Sequence, residues 1–315
     1  MKGTVISNTG SRYRVLIDGP DGCILTAAAK GNLRIKGIRT TNPVAVGDRV
    51  EVLPSLNSEI AYITAIEPRR NYIIRRASNL SKESHILAAN IDQTLLICSL
   101  FRPQTATTFI DRFLATAEAY RIPSIILINK IDLLKSDEDR ELLDGVNYLY
   151  TSIGYRVINT STVTGEGLDE LRDAVGGKTT LLSGNSGVGK SSIINALVPD
   201  AHVTVANVSE SHETGRHTTT FSSMYDLPGG GRLIDTPGVR GFGTLDFDKY
   251  EVSHFFPEIF EAGRDCRFSN CLHSGDEPGC AVREKVEKHL ISASRYASYM
   301  SILENDIAGS GSKYR

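Results

Sequence analysis

The order of two short motifs constrains this chain more than any other feature. Asn129-Lys130-Ile131-Asp132 ends one apolar run, and Gly184-Asn185-Ser186-Gly187-Val188-Gly189-Lys190-Ser191 follows another apolar run further along the chain. In most proteins that contain both motifs, the glycine-rich one comes first. The inverted order therefore predicts a sheet whose connections have been cut and rejoined elsewhere, with its packing retained.

The glycine-rich motif matches the pattern Gly-x4-Gly-Lys-Ser, which predicts a phosphate-binding loop between a strand and a helix. We expect its backbone N–H groups to surround phosphate oxygens, helped by the helix dipole. Lys190 can reach the β- and γ-phosphates, and the Ser191 hydroxyl can hold Mg²⁺. The residues expected to bind phosphate are Gly184, Asn185, Ser186, Gly187, Val188, Gly189, Lys190, Ser191 and Ser192.

The upstream motif predicts which base is bound. The Asp132 carboxylate can accept hydrogen bonds from N1–H and the exocyclic amine of guanine, and adenine offers no such pair of donors. The aliphatic stem of Lys130 can lie along the purine, and Asn129 and Ile131 complete the motif. Two hydroxyl residues after the next predicted strand either support the guanine or cap a helix: Ser161 and Thr162.

A second metal-binding motif is expected at Asp235-Thr236-Pro237-Gly238. Asp235 would hold Mg²⁺ through water, and the Gly238 N–H would meet the γ-phosphate. A polar stretch upstream, which contains residues 215–220, suits a mobile switch. In this switch stretch, Thr218 or Thr219 would supply the second hydroxyl to Mg²⁺. The sequence does not distinguish these two threonines.

Hydrolysis of the bound nucleotide is predicted to be slow without a partner. Val239 stands where Ras-like enzymes carry a glutamine that orients water, and the valine side chain can neither donate nor accept a hydrogen bond. His217 in the switch stretch is the candidate for positioning water, with a structural or solvated role as the alternative. Lys190 and Asp235 are the other candidate catalytic residues.

Cysteine spacing predicts a metal site near the carboxyl end. Three cysteines and one histidine fall within 15 residues, whereas the other two cysteines are scattered. An odd count with this distribution argues against a disulfide framework. Thiolate and imidazole ligands favour a closed, tetrahedral, structural Zn²⁺ site, and reduced surface cysteines are the alternative. The expected ligands are Cys266, Cys271, His273 and Cys280.

Apolar patterning divides the chain into three predicted domains, 1–70, 71–245 and 246–315. The first has short β-rich runs that suit an OB-fold-like barrel, although a sandwich or an SH3-like barrel remains open. A polar, basic linker is expected at 69–82. The second domain has α/β character, a mostly parallel sheet covered by helices. The third is helical and contains the cysteine cluster.

The β-α alternation of the second domain predicts individual elements. The expected strands are Gln93–Leu100, Pro123–Ile128, Tyr155–Asn159 and Thr179–Leu182. The expected helices are Thr107–Tyr120, Asp137–Tyr150 and Leu168–Val175.

The charge distribution indicates an anionic partner. The net charge is −2, but residues 1–80 carry +6 and the remainder carries −8. This asymmetry favours a local polyanion at the first domain, or a merely solvated charged face. The apolar runs are strand-length and the first residues lack an apolar signal segment, so we expect a cytoplasmic protein without membrane contact.

These features together resemble the RsgA family, also called YjeQ or YloQ, over essentially the whole chain. The resemblance implies a circularly permuted GTPase core with an amino-terminal OB-fold and a carboxyl-terminal zinc domain. It also implies that the protein hydrolyses GTP to GDP and phosphate on the maturing 30S subunit. We expect it to be a monomer, although the sequence leaves the oligomeric state open. The two flanking domains would contact 16S rRNA, the ribosome would stimulate turnover, and His217 corresponds to a proposed catalytic histidine.

Three other functions remain open at this point. One is a permuted GTPase that acts on another ribosomal particle or RNA. Another is a metabolic enzyme that transfers phosphate to a small molecule. The lack of a visible motif for binding such an acceptor argues against this function. The third is an RNA-binding module with vestigial hydrolysis, and the intact Lys190, Ser191 and Asp235 argue against it.

Overall fold

The structure is a computed structural model, and it describes residues 1–20, 22–30, 33, 43–55, 58–76, 84–205, 222–236, 248–275 and 277–310. Within these ranges, no helix combines the length and apolar character that crossing a membrane requires.

The chain begins with a closed five-stranded barrel. Its strands are β1 (Lys2–Asn8), β2 (Tyr13–Ile17), β3 (Ile24–Ala29), β4 (Arg49–Leu53) and β5 (Ala61–Ile66). They follow the order β1-β2-β3-β5-β4, and pairing of β4 with β1 closes the ring. Alternate residues such as Val15, Val50 and Ile63 fill the interior, as the period of two requires. The predicted OB-fold-like barrel is confirmed.

The segment expected to be a linker instead contains a strand. β6 (Tyr72–Arg76) pairs antiparallel with β7 (Ser84–Ala89) to form a two-stranded sheet. Ile73 is fully buried in the core cluster of the second domain. The prediction of an irregular linker was wrong. Arginines on both sides of a short apolar stretch make the segment polar as a whole, although the apolar stretch itself is buried.

The second domain is a six-stranded sheet between two layers of helices. Its strands are β8 (Gln93–Cys98), β9 (Ser124–Asn129), β10 (Arg156–Thr160), β11 (Thr179–Ser183), β12 (Ser223–Asp226) and β13 (Arg232–Asp235). Their order is β10-β9-β8-β11-β13-β12, and every pair is parallel except β12–β13.

Two helices cover each face of this sheet, which confirms the predicted α/β architecture. They are α1 (Thr107–Ala119), α2 (Asp137–Thr151), α3 (Leu168–Val175) and α4 (Lys190–Leu197). Phe113 and Tyr150 bring α1 and α2 into one core cluster. Leu171 and Ile193 bring α3 and α4 into the other. Because the central strands are parallel, the carboxyl ends of β9, β11 and β13 share one edge, where ligands bind in such sheets.

The barrel and the second domain share a continuous sheet. Strand β1 pairs antiparallel with β12 at Ser7 and Ser223, and the Asn8 N–H donates to the Ser222 carbonyl over 3.3 Å. In the part of the chain that the structure describes, the resulting sheet has eleven strands.

The carboxyl-terminal segment is helical, as predicted. It contains α5 (Pro257–Gly263), α6 (Ala281–Glu287) and α7 (Ala293–Ser310). Phe256, Ile259, Val282 and Tyr299 are among the residues of its core, which also includes Ala115 of α1. This core therefore joins the carboxyl-terminal helices to the second domain.

Candidate functional site

The glycine-rich loop, residues 184–189, lies at the carboxyl edge of the sheet between β11 and α4. Gly184 and Gly189 have φ of +147° and +100°, in the region that favours glycine. A Cβ on Gly184 would lie 2.4 Å from the Ile97 carbonyl oxygen. The Lys190 ammonium donates to the carbonyls of Gly184 and Asn185, at 2.8 Å each. The loop thus encloses a cation beside N–H groups, an arrangement that suits phosphate.

The upstream motif contacts this loop directly. The buried Asn129 Nδ2 donates to the Val188 carbonyl over 2.9 Å, across 59 residues of sequence. The Thr160 hydroxyl donates to Asn129 Oδ1 over 3.3 Å, which fixes the orientation of the amide. The two motifs that define the inverted order therefore meet at one site.

The Lys130 side chain donates hydrogen bonds to the glycine-rich loop and to a carbonyl outside that loop. Its backbone is left-handed, with φ of +67°, and its Nζ donates to the carbonyl oxygens of Gly187 (2.6 Å) and Arg102 (2.7 Å). Burial lowers the pKa of the ammonium, and the Asp132 carboxylate acts in the opposite direction. Arg102 was missed in the sequence. Its backbone oxygen makes the contact, and every residue type has a backbone oxygen, so the sequence does not indicate such a contact.

The base-reading carboxylate is oriented by Ser161. Asp132 lies in a 3₁₀ turn, Ile131–Leu133, and its Oδ1 accepts a 2.6 Å hydrogen bond from the buried Ser161 hydroxyl. The same hydroxyl accepts from the N–H groups of Val163 and Thr164. Of the two predicted hydroxyl residues, Ser161 thus supports the Asp132 carboxylate, and Thr162 follows it directly in the chain.

Asp235 ends β13 beside the strand that leads into the glycine-rich loop. It pairs in register with Leu182, and only 5% of its surface is exposed. Burial raises the pKa of the carboxyl, and the Lys190 ammonium lowers it. A carboxylate buried here gains from a nearby cation, and oxygen ligands from Asp235 and Ser191 suit Mg²⁺.

The remaining predicted site residues belong to the switch stretch and to the end of the motif that begins at Asp235. His217, Thr218, Thr219, Gly238 and Val239 lie outside the described residues.

The cysteine cluster forms a compact ligand set. The ligand atoms of Cys266, Cys271, His273 and Cys280 all lie within 4.8 Å of one another. His273 Nδ1 is 3.6 Å from Cys266 Sγ and 3.5 Å from Cys280 Sγ. A tetrahedral ion with Zn–S and Zn–N bonds of ordinary length would place S and N about 3.5 Å apart. The four residues therefore fit one four-coordinate metal ion.

The pKa values of the cluster residues indicate which of them must lose a proton to bind a metal ion. Burial raises the pKa of Cys271 to about 12 and raises that of Cys280, whereas it lowers the pKa of His273. The thiols therefore need a cation to ionise at neutral pH, while the imidazole is already in its ligating form. Tyr299 holds the intervening loop by donating to the Leu272 carbonyl over 2.7 Å.

Gly189→Ala is expected to weaken GDP binding at least about tenfold. The new Cβ would lie 2.4 Å from Asn129 Nδ2, so the contact between the two motifs must shift. Titration of a fluorescent GDP analogue measures the Kd. Gly154→Ala is the matched control, because Gly154 has a similar φ of +97° and open space around its Cβ position. Equal losses in both variants would mean that backbone strain alone, and not the contact, governs affinity.

Comparisons with known proteins agree with this geometry. A family model described as RsgA GTPase matches residues 66–245. The small ribosomal subunit biogenesis GTPase RsgA of Porphyromonas gingivalis (strain ATCC 33277) is 59% identical over 312 residues, 98% of each chain. The protein of the same name from Bacteroides fragilis (strain ATCC 25285) is 56% identical, covering 100% of this chain and 99% of the relative.

Two solved structures are similar along nearly the whole chain. The crystal structure of YjeQ from Thermotoga maritima aligns with a TM-score of 0.75 and 30% identity, covering 97% of this chain and 98% of that one. The crystal structure of YloQ, described as a circularly permuted GTPase, aligns with a TM-score of 0.72 and 28% identity, covering 98% and 95%.

Proposed function

This chain belongs to the RsgA family of GTPases, and from that premise we propose that it hydrolyses GTP on the small ribosomal subunit and assists its late maturation. The observation that carries the proposal is the contact of Asn129 and Lys130 with the glycine-rich loop. That contact joins base recognition to phosphate binding in one site. The relatives quoted above are named for biogenesis of the small subunit.

In this proposal, each part of the site has one task. Asp132 accepts from guanine while Lys130 covers the purine face. Ser161 orients the Asp132 carboxylate, and Asn129 holds the glycine-rich loop. Loop N–H groups and Lys190 bind the phosphates and stabilise charge that develops on the leaving GDP. Ser191 and Asp235 would hold Mg²⁺, which neutralises phosphate charge when it is bound with GTP.

Water activation is assigned to the switch stretch, on sequence grounds alone. We assign the positioning of water to His217 and the second magnesium hydroxyl to Thr218 or Thr219, with Gly238 meeting the γ-phosphate. With these assignments, hydrolysis without a partner is slow, because Val239 stands where Ras-like enzymes carry the glutamine that orients water.

Zinc is the proposed ion of the Cys3His cluster. Four protein ligands leave no position open for water, so the ion would be structural and not catalytic. Its task would be to hold together a segment whose own apolar core is small.

The partner proposed for the flanking domains is 16S rRNA. On the barrel, Arg14 and Tyr62 are exposed on β2 and β5, which form part of its outer face. In the carboxyl-terminal segment, the exposed Phe268 has the Arg267 guanidinium 5.5 Å from its ring centre. Exposed aromatic rings beside cations suit stacking of unpaired bases, and arginines suit phosphates. The local charge of +6 over residues 1–80 favours the same partner.

We propose domain limits of 1–70, 71–245 and 246–315, and a monomer working in the cytoplasm, where small subunits are assembled.

Small subunits are expected to raise GTP turnover at least about tenfold, and large subunits far less. Release of phosphate by the purified protein, alone and with 30S, 50S or 70S particles, measures this. The double variant Arg14→Glu/Tyr62→Ala should lower the ratio of stimulated to basal turnover severalfold. Tyr148→Ala, on the exposed side of α2, should preserve the ratio.

Other outcomes would redirect the assignment. Stimulation by 50S in place of 30S would favour a permuted GTPase of another ribosomal particle. Indifference to all particles would mean that the partner is wrong. Efficient hydrolysis of ATP would contradict the role given to Asp132.

A further inference from the structure

A buried ion pair joins the second domain to the last helix. Asp111 of α1 and Arg295 of α7 are 0% and 1% exposed, and Arg295 Nη1 donates to Asp111 Oδ1 over 2.9 Å. Ser298, one turn along α7, donates to Asp111 Oδ2 over 2.6 Å. Tyr150 of α2 donates to Asp111 Oδ1 over 2.9 Å. Asp111 is thus the point where three helices meet through polar groups.

The same arginine reaches into the carboxyl-terminal segment. Its Nε and Nη2 donate to the two carboxylate oxygens of Glu258 on α5, at 2.7 and 3.2 Å. The guanidinium also lies 4.6 Å from the centre of the Phe256 ring. A buried guanidinium held this way is strongly constrained, because removal of either carboxylate leaves a charge uncompensated.

The amino end of α1 leads to the base site. The loop at 99–106 connects β8 to α1, and its Arg102 carbonyl accepts the 2.7 Å hydrogen bond from Lys130 Nζ. The loop is closed by the Thr105 N–H, which donates to the Ser99 carbonyl, and by the Thr105 hydroxyl, which accepts from the Ser99 N–H. A closed loop transmits the position of α1 to the Arg102 carbonyl, since its two ends cannot separate freely.

We propose that Asp111 and Arg295 are positioning residues for guanine recognition. Asp111 and Arg295 fix α1 against α7. They thereby hold the Arg102 carbonyl in the position where it accepts the hydrogen bond from Lys130 and keeps the Lys130 side chain over the base. Guanine-nucleotide affinity and docking of α7 are then thermodynamically linked, and the linkage is reciprocal. The inference rests on the guanine site proposed above.

This linkage between the base site and α7 differs from a switch that senses the γ-phosphate of GTP. It responds to the base, so GDP and GTP engage it equally and it distinguishes a loaded site from an empty one. The carboxyl-terminal segment would accordingly dock more firmly on any guanine-bound protein.

Hydrogen exchange of the wild-type protein tests the linkage without any substitution. Saturating GDP should slow exchange of the α7 amides at 293–303 at least severalfold relative to the free protein. Pyrophosphate, which fills the phosphate loop and lacks a base, should leave these amides nearly unchanged. Equal effects of the two ligands, or none of GDP, would overturn the proposal. Failure of GDP to bind at all would instead overturn the guanine site itself.

A matched pair of substitutions tests the residues. Asp111→Asn and Glu258→Gln each remove one carboxylate charge from Arg295, but only Asp111 belongs to α1. We expect Asp111→Asn to weaken binding of fluorescent GDP at least about fivefold, the lower end of typical coupling, and Glu258→Gln to change it less than about twofold. Equal changes in both, or none in either, would make the pair merely structural. If Asp111→Asn does not fold, the wild-type exchange measurement still decides.

Discussion

Asp132→Asn is expected to change the base preference of the nucleotide site from guanine to xanthine. The carboxylate accepts from two donors on guanine, and hydrogen bonds to a charged group contribute about 1.5–3 kcal/mol each. Because an amide can accept from only one of them and presents its N–H₂ to the other, GDP affinity should fall at least about 100-fold. The same N–H₂ can donate to the carbonyl that xanthine carries in place of the amine. Competition titrations with GDP and XDP measure both effects.

A matched control separates this effect from general damage. Asp137→Asn makes the same chemical change at the start of α2, where the side chain is 97% exposed. Its affinities for GDP and XDP should match the wild type. If Asp132→Asn retained GDP binding and gained none for XDP, guanine would be recognised by other groups.

Loss of the metal is expected to unfold the carboxyl-terminal segment locally. Structural zinc in small domains contributes about 10–16 kcal/mol of apparent binding free energy, more than a small apolar core can replace. Cys280→Ser removes a buried ligand that precedes α6 directly. The variant should lose bound zinc, measured by elemental analysis, and α5 and α6 should become sensitive to limited proteolysis.

Cys23→Ser provides the control, because Cys23 is exposed and belongs to the barrel. It should retain about one zinc ion per chain, the number expected for a single closed site. A Cys280→Ser protein with unchanged zinc content and proteolysis would show that the cluster does not support the fold. Zinc content in the wild type also tests the identity of the ion.

The sequence predicts the second domain closely because its elements follow strong, local patterns. The helix Leu168–Val175 is found as predicted, and buried strands such as Ser124–Asn129 differ from expectation by one residue at each end. Long apolar runs between polar turns determine such elements with little help from the rest of the chain. The contact of Asn129 with the glycine-rich loop was also implicit, since both motifs must share one nucleotide.

Other features depend on tertiary contacts that no local pattern encodes. Strand β3, Ile24–Ala29, has only a weak local signal because its alanines have low β propensity, and barrel closure determines it. The Asp111–Arg295 pair joins residues 184 positions apart. The Arg102 contact uses a backbone oxygen, so no residue type could have indicated it.

The pairing of β1 with β12 has a consequence for dissecting this protein by truncation. A fragment that begins after the barrel would leave the backbone of β12 as an uncovered margin at Ser222 and Ser223. Uncovered strands recruit other strands, so such a fragment would tend to self-associate. It would also lose the bridge between Val46 and Ala88. Deletion therefore confounds loss of the proposed RNA contact with loss of solubility, and point changes on the outer face of the barrel avoid that ambiguity.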